Sequence, residues 1–365
     1  MSEDRINGVE TKNTEVEKAQ GMTVEVMRMN EKEYRAYPAV SYSRLSDIEK
    51  VGILAVNANV ASIGKLRGVV LGSITDDVIS NRLSGIPDYV KTVDKIPGSG
   101  TITELAIESI VEKLSFTNFM GIDKDILEHF LGSGGFMKNG MTSANFHGKL
   151  ANYQEYINAL KAADADTQII TRFDLAITKK AILRLKAIYI FSDSFQNSSS
   201  RQVVFQRKFL AKVNGVEIKC MLDAIDINHD NKTITPIDIK TGVMTDGDFY
   251  SFYNQAYLKY NYYIQAGLYR KILVEFFKNV TKYKDYVVED FMFIYSSTNP
   301  RNGLSIQELF IHSINKKMYL ESFKGFTHYY RGDNFIKKGI GELLRFYKDN
   351  KTPDAVSATK CEAIA

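Results

Sequence analysis

The chain has no tryptophan and is poor in several residues that often specify function, with two cysteines, six prolines and five histidines among 365 residues. Cys220 and Cys361 cannot build a disulfide framework or a four-cysteine metal cluster, and their dispersal argues for a reducing compartment. Cys220 is expected to be core packing. His147, His229 and His312 lack the short i, i+4 spacing of zinc hydrolases and are assigned to no site. No apolar run reaches about 18 residues, and the opening MSEDRING is too polar for a secretory signal, so a cytoplasmic protein without a membrane span is expected. Charge of one sign is missing too: 47 basic residues against 43 acidic ones leave a formal +4. Without a global field, any nucleic-acid channel must be local. The GSGG string at 132–135 lacks the lysine-serine ending of a phosphate loop and reads as a flexible connector. No solenoid or propeller period is visible.

What is present is an ordinary globular composition, 44% hydrophobic, enough for a packed core. Residues 1–35 and 351–365 are polar without a sustained apolar period and read as a flexible N-terminal segment and a flexible tail. Residues 36–100 are assigned to N-terminal helices of the core. Ser41 precedes the apolar-periodic SYSRLSDIEK at 41–50 as an N-cap does, and LGSITDDVIS at 71–80 is a second helix. Glycine and proline at 85–100 mark a loop before 101–195, where helical periodicity predicts an inserted helical subdomain. Residues 196–350 return to the core. They hold the strand run 203–213, a turn at Asn214 and Gly215, and then a hairpin. A helix follows at about 252–280, with Tyr262, Gln265, Tyr269, Ile272 and Phe276 on one face, then a strand at 290–297 and a last helix at 332–349. The fold class expected is α/β, a mixed central sheet flanked by helices with a helical insertion.

The chemistry concentrates in MLDAIDINHDNKTITPIDIKTG at 221–242. Side chains alternate along a strand, so Asp238 and Lys240 project from one side. The polar turn at 229–232 folds Asp223 back towards Asp238. Carboxylates on adjacent strands hold Mg²⁺, which neutralises a phosphate and activates water. The lysine beside them orients or deprotonates that water, or stabilises the charge on phosphorus. Read alone, the same Asp-x-Lys triplet is a solvated ion pair worth at most about 1 kcal/mol. Asp226 lies three positions beyond Asp223, hence on the opposite face unless a bulge intervenes, and a structural role stands beside a functional one. Pro236 cannot donate to a ladder and marks such a bulge or an edge. The tyrosines at 250, 253, 257, 260, 262 and 263 read as core before base-stacking platforms. Arg201, Arg207, Lys208 and Lys212 either neutralise phosphates or are ordinary strand charges.

In chain order these segments resemble the RecB-like branch of the PD-(D/E)xK nuclease superfamily. LDAID at 222–226 resembles its G-x-L-D-x-I-D aspartate, DIKT at 238–241 its D-x-K-T strand, and QAGLY at 265–269 its Q-x-x-x-Y helix. SYSRL at 41–45 looks like its S-x-S-x-L opening, and LGSITD at 71–76 like its L-G-x-x-x-H helix. Asp76 stands where the family often has a metal-binding histidine. An aspartate oxygen also suits Mg²⁺, with Asp77 the alternative. The resemblance covers the hairpin and the following helix well, the N-terminal motifs loosely, and the residues between hardly at all.

That resemblance implies a restriction-endonuclease-like core, with Asp76, Asp223, Asp238 and the carbonyl of Ile239 ligating Mg²⁺ or substituting Mn²⁺. Lys240 would serve the water, and Gln265 and Tyr269 would position the lysine and a phosphate. It implies a metal-dependent deoxyribonuclease similar to phage-type recombination exonucleases of the exonuclease VIII and lambda exonuclease kind. Such enzymes resect duplex DNA ends for recombination or repair, often as homo-oligomeric rings beside a single-strand annealing protein. A structure-specific endonuclease on the same scaffold, and a catalytically silent DNA-binding or assembly protein, are the other readings.

Overall fold

The computed structural model of the chain describes residues 22–52, 56, 67–136, 148–192, 198–213, 215–242, 257, 259–298, 309–314, 326–330, 333–337 and 340–351. Its N-terminal elements are β1 (Thr23–Val26), α1 (Glu31–Ala36), α2 (Tyr42–Val51), α3 (Arg67–Ser80) and β2 (Val90–Val93). Next come α4 (Ile102–Lys113), α5 (Lys124–Ser133), α6 (Gln154–Lys161), β3 (Gln168–Thr171) and α7 (Arg172–Lys186). The C-terminal half holds β4 (Arg201–Val213), β5 (Val216–Asn228), β6 (Thr233–Gly242), α8 (Tyr262–Lys278), β7 (Val287–Val288), β8 (Phe291–Ser297) and β9 (Leu309–Ile314). A hairpin of β10 (Phe326–Tyr330) and β11 (Asp333–Lys337) and the helix α9 (Ile340–Asn350) close the described chain.

The main sheet is mixed, in the order β1-β4-β5-β6-β8-β9. Its pairs are antiparallel except β6 with β8, and β7 also lies parallel to β6. The chain reaches β8 from β6 by way of α8, the kind of helical crossover a parallel neighbour requires. Gly215 turns β4 into β5 with φ 79°, a left-handed value that glycine adopts without a Cβ penalty. Leu45 and Ile48 of α2, Leu268 and Ile272 of α8 and Leu343 of α9 pack in the cluster on one face of the sheet. Val78 of α3 and Ile182 and Leu185 of α7 pack in the other, against Val203, Ala224 and Ile237.

Several sequence expectations change. Residues 22–35, read as part of a flexible segment, hold β1 and all but the last residue of α1. β1 pairs in register with β4, and Asn30 and Glu33 cap α1 reciprocally at 2.9 and 2.8 Å. The Lys219 ammonium on β5 donates to the carbonyls of Tyr34, Arg35 and Tyr37 at 2.8, 2.9 and 2.6 Å, tying the end of α1 to the sheet. These are long-range bonds, invisible to local periodicity. The region 101–195 is neither wholly helical nor wholly inserted. β3 pairs parallel with β2, and α7 belongs to the core layer, where Ser296 Oγ donates to Ala181 O at 3.4 Å. The helical reading holds for α4 to α6, which share a cluster built on Ile107, Ile110, Leu127 and Ile157. The last helix begins at Ile340 because 333–337 is drawn into the β10–β11 pair. Cys220 is buried as expected, whereas Cys361, His147, Tyr250 and Tyr253 lie outside the described residues.

Pro236 marks neither a bulge nor an edge. It sits opposite Ile225 where the far side of β6 passes from β7, with Ile234 opposite Val288, to β8, with Ile237 opposite Met292. A missing N–H is harmless in that gap. On the α3 side the close approach is made by Gly72, where a Cβ would stand 3.0 Å from Thr241 Oγ1. One turn further along the same helix is Asp76, which this approach brings to the sheet.

Candidate functional site

The site forms where the sheet comes apart. The β5–β6 ladder ends with Ala224 opposite Ile237. Asp223 and Asp238 would form the next pair, but there the N–H of Ile239 donates to Asp223 Oδ2 at 2.7 Å. A side chain has replaced a ladder acceptor, which satisfies the buried donor and holds Asp223 beside Asp238. On the other side of β5 the pairing is interrupted at the same level. Gln206, opposite Asp223, has φ 51°, although the register is the same before it (Phe205 with Ala224) and after it (Arg207 with Leu222). No residue is inserted; the backbone turns over in place. The facing of side chains therefore changes parity, so that Leu222 and Ile225 enter the same core cluster while Val203 and Ala224 enter the other.

Asp238 and Lys240 share a face, as strand alternation requires, and are ion-paired through Oδ2 and Nζ. Asp238 Oδ1 accepts from Gln265 Nε2 on α8 at 2.5 Å. The Lys240 Nζ lies 4.7 Å from the centre of the Tyr262 ring and 5.9 Å from that of Phe293, an aromatic recess that favours a cation. Burial works against the lysine's charge, but Asp238 first, then Tyr262, Tyr42 and Asp223, outweigh it and raise its pKa above the ordinary lysine range. A lysine held this way is suited to stabilising negative charge and not to accepting a proton.

Asp76 faces this pair from α3. Its Oδ1 accepts from Ser80 Oγ at 2.9 Å and its Oδ2 from Gln206 Nε2 at 2.5 Å. Removal from water pushes its pKa up to about 6, against the pull of those two hydrogen bonds and with a further push from Asp238. Asp223 is raised well above the usual carboxylate range, by burial first and then by Asp238 and Asp76. These carboxylates share one electrostatic neighbourhood. Asp77 does not join it, since Asn81 and the Tyr89 hydroxyl donate to its carboxylate. Between the two helix acids that the sequence leaves open, the fold brings Asp76 to the site.

The other candidates join the site differently from expectation or lie outside it. Gln265 reaches the carboxylate of Asp238 rather than the lysine, and its own Oε1 is buried without a hydrogen-bond partner among the described residues. Tyr269 packs edge-on against Tyr42, 6.2 Å between ring centroids, and against Phe291 at 6.4 Å, within the core. Ile239 enters the site through its N–H. Asp226 is ion-paired at 2.9 Å with Arg201 Nε, and the Arg201 guanidinium lies 4.7 Å from the centre of the Tyr189 ring. Burial raises the Asp226 pKa even against that guanidinium, which marks a structural pair. Replacing Arg201 with leucine would leave a buried carboxylate without its cation. The expected loss in urea denaturation is about 3 kcal/mol at pH 7, shrinking towards pH 4 as the carboxyl protonates. Unchanged stability at pH 7 would remove the structural assignment.

Sequence reasoning missed Gln206 and Tyr42, and read Tyr262 as core before a base-stacking platform where it lines the lysine recess. The signal for the first lies across the hairpin: apart from Met221, apolar residues of β5 occupy even positions from Val216 to Ala224, then odd ones at Ile225 and Ile227. Such a switch marks a backbone irregularity at the level of Asp223.

No group of three or more His, Cys, Asp or Glu side chains is arranged to hold a metal ion among the described residues. The donor set nonetheless fits a divalent cation by chemistry. Asp76, Asp223 and Asp238 offer hard oxygens, Asp238 raises the pKa of both Asp76 and Asp223, and Lys240 alone leaves their negative charge in surplus. No protein-family model, no curated protein and no solved structure matches the chain. Among the described residues no helix is long and apolar enough to cross a membrane.

Proposed function

We propose that the chain is a metal-dependent deoxyribonuclease, acting as an exonuclease on the ends of linear duplex DNA. The observation that carries the proposal is the opening of the sheet at Asp223 and Asp238, which gathers two strand carboxylates, a helix carboxylate and a cationic lysine. The mixed order β4-β5-β6-β8, with its helical crossover, supports the finer reading of a restriction-endonuclease-like core.

A divalent cation, Mg²⁺ or Mn²⁺, would be held by Asp76, Asp223 and Asp238 and would supply charge neutralisation at the phosphate and an activated water. Lys240 stabilises the negative charge that grows on the phosphate oxygens, acting as a fixed cation in a recess that limits its motion. Gln265 holds Asp238 so that the carboxylate does not turn wholly to the lysine. Ser80 and Gln206 hold Asp76.

Purified protein incubated with end-labelled linear duplex and with covalently closed circular DNA, in Mg²⁺ and in chelator, tests the proposal. Digestion of the linear DNA alone, only with metal, is the expected result. Cleavage of the circle would establish the endonuclease instead, and binding without cleavage in both Mg²⁺ and Mn²⁺ would sink the catalytic reading.

A further inference from the structure

Gln206 combines three features that the resemblance does not assign. Its φ of 51° in the middle of β4 is unfavourable for any residue with a Cβ. Its carboxamide nitrogen donates to Asp76 Oδ2 at 2.5 Å and to Ser80 Oγ at 3.2 Å, bridging the sheet and α3. It also stands opposite Asp223, whose carboxylate has left its own strand's alternation to take the Ile239 N–H. A relaxed strand residue at 206 would carry the alternation straight through β4. Backbone strain of this kind persists only where the surroundings over-determine it, and the bonds to Asp76 and Ser80 do so here.

We propose that Gln206 is a positioning residue, whose left-handed turn aims the carboxamide at Asp76 and sets the orientation of that carboxylate towards a divalent cation. Asp76 is then gripped from both sides, with Ser80 on Oδ1 and Gln206 on Oδ2, and Gln206 also touches Ser80. Groups that orient a ligating side chain in this way typically change metal affinity by about 10–100-fold when removed. The inference rests on the metal-dependent reading above.

The test compares Gln206→Gly with Gln206→Ala in the full chain. Both remove the carboxamide, and glycine tolerates the positive φ without the Cβ penalty that alanine meets there. The Mn²⁺ midpoint is read from the rise in melting temperature across a metal titration, and separately from cleavage of linear duplex. Both variants are expected to need about tenfold more Mn²⁺. The metal-free melting temperature should hold or rise for glycine and fall for alanine. A purely structural role would leave the glycine variant's metal midpoint at the wild-type value, and that result overturns the proposal. A wild type that neither cleaves DNA nor gains melting temperature with Mg²⁺ or Mn²⁺ fails the functional reading itself, and this inference with it. A wild-type metal response reproduced unchanged by Gln206→Gly overturns this inference alone.

Discussion

Replacing Lys240 with alanine is expected to slow duplex cleavage by about 10³-fold at saturating Mg²⁺, with far less change in DNA binding. The lysine is the cation closest to the paired carboxylate, and the charge it would stabilise grows only as the phosphodiester bond breaks, so the loss falls on kcat. Arginine is not expected to rescue the activity. The recess beside Tyr262 and Phe293 is filled by a compact ammonium, and a planar guanidinium requires a different shape. Lys240→Ala also strands Asp238, 3% exposed, without its cation, so a stability loss of about 3 kcal/mol is expected alongside the kinetic one. Asp238→Asn separates the two effects. It removes one of the mutually repelling carboxylates and keeps an oxygen for the Gln265 amide, so a folded but inactive protein is expected. Wild-type cleavage by Asp238→Asn, or by a folded Lys240→Ala, would remove the substituted residue from the reaction.

The second large effect concerns stability in the absence of metal. Asp76, with its pKa raised from 3.8 to about 6, and Asp223, raised well above the usual carboxylate range, bind protons in the folded chain that the unfolded chain releases near pH 4. Folding is therefore favoured by these groups at acid pH, and their contribution is lost as pH rises through the window from about 4 to 6 and beyond. For Asp76 alone the change is at most about 3 kcal/mol. Saturating Mg²⁺ at pH 7.5 should reverse it, because a cation bound only by the folded state stabilises by about 2.7 kcal/mol at a hundredfold excess over Kd. In a chain of this size that is a rise in melting temperature of about 3–4 °C. At pH 4.5, below the raised pKa of Asp76, Mg²⁺ should change little. A metal-free protein whose melting temperature is insensitive to Mg²⁺ at both pH values would argue that these carboxylates hold no cation.

The hairpin was legible because its signals are local. A turn of Asn, Asp and Lys between alternating strands places Asp223 across from Asp238, and strand alternation places Lys240 with Asp238; both arrangements appear, with the turn at 229–232 and Asn228 Oδ1 accepting from the Asn231 N–H at 3.0 Å. Helical spacing likewise brought Gln265 to the sheet, and Ser41 caps α2, its Oγ accepting from the Arg44 N–H at 3.5 Å. The same local logic failed where distant residues supplied the partners. Among the described residues strand β1 pairs with β4 alone, nearly two hundred residues away in sequence, and α7 joins the core layer through residues of α3, β4 and β6. Tyr269 shares a helical face with Gln265, yet its ring meets Tyr42 in the core, because the curve of the packing and not the spacing decides where a helix face ends.

The sequence by itself determined the α/β class, the hairpin and the identity of the acids and the lysine that it carries. Those follow from side-chain periodicity and turn chemistry, which act over a few residues. Only the tertiary structure decided that the ladder opens at Asp223, that Asp76 rather than Asp77 faces the opening, and that Asp226 belongs to Arg201. Each depends on a backbone conformation or a long-range packing contact: the left-handed turn at Gln206, the close approach of Gly72 to Thr241, the hydrogen bond from the Ile239 N–H. Their energies come from burial and from satisfying buried donors, so they exist only once the layers have come together.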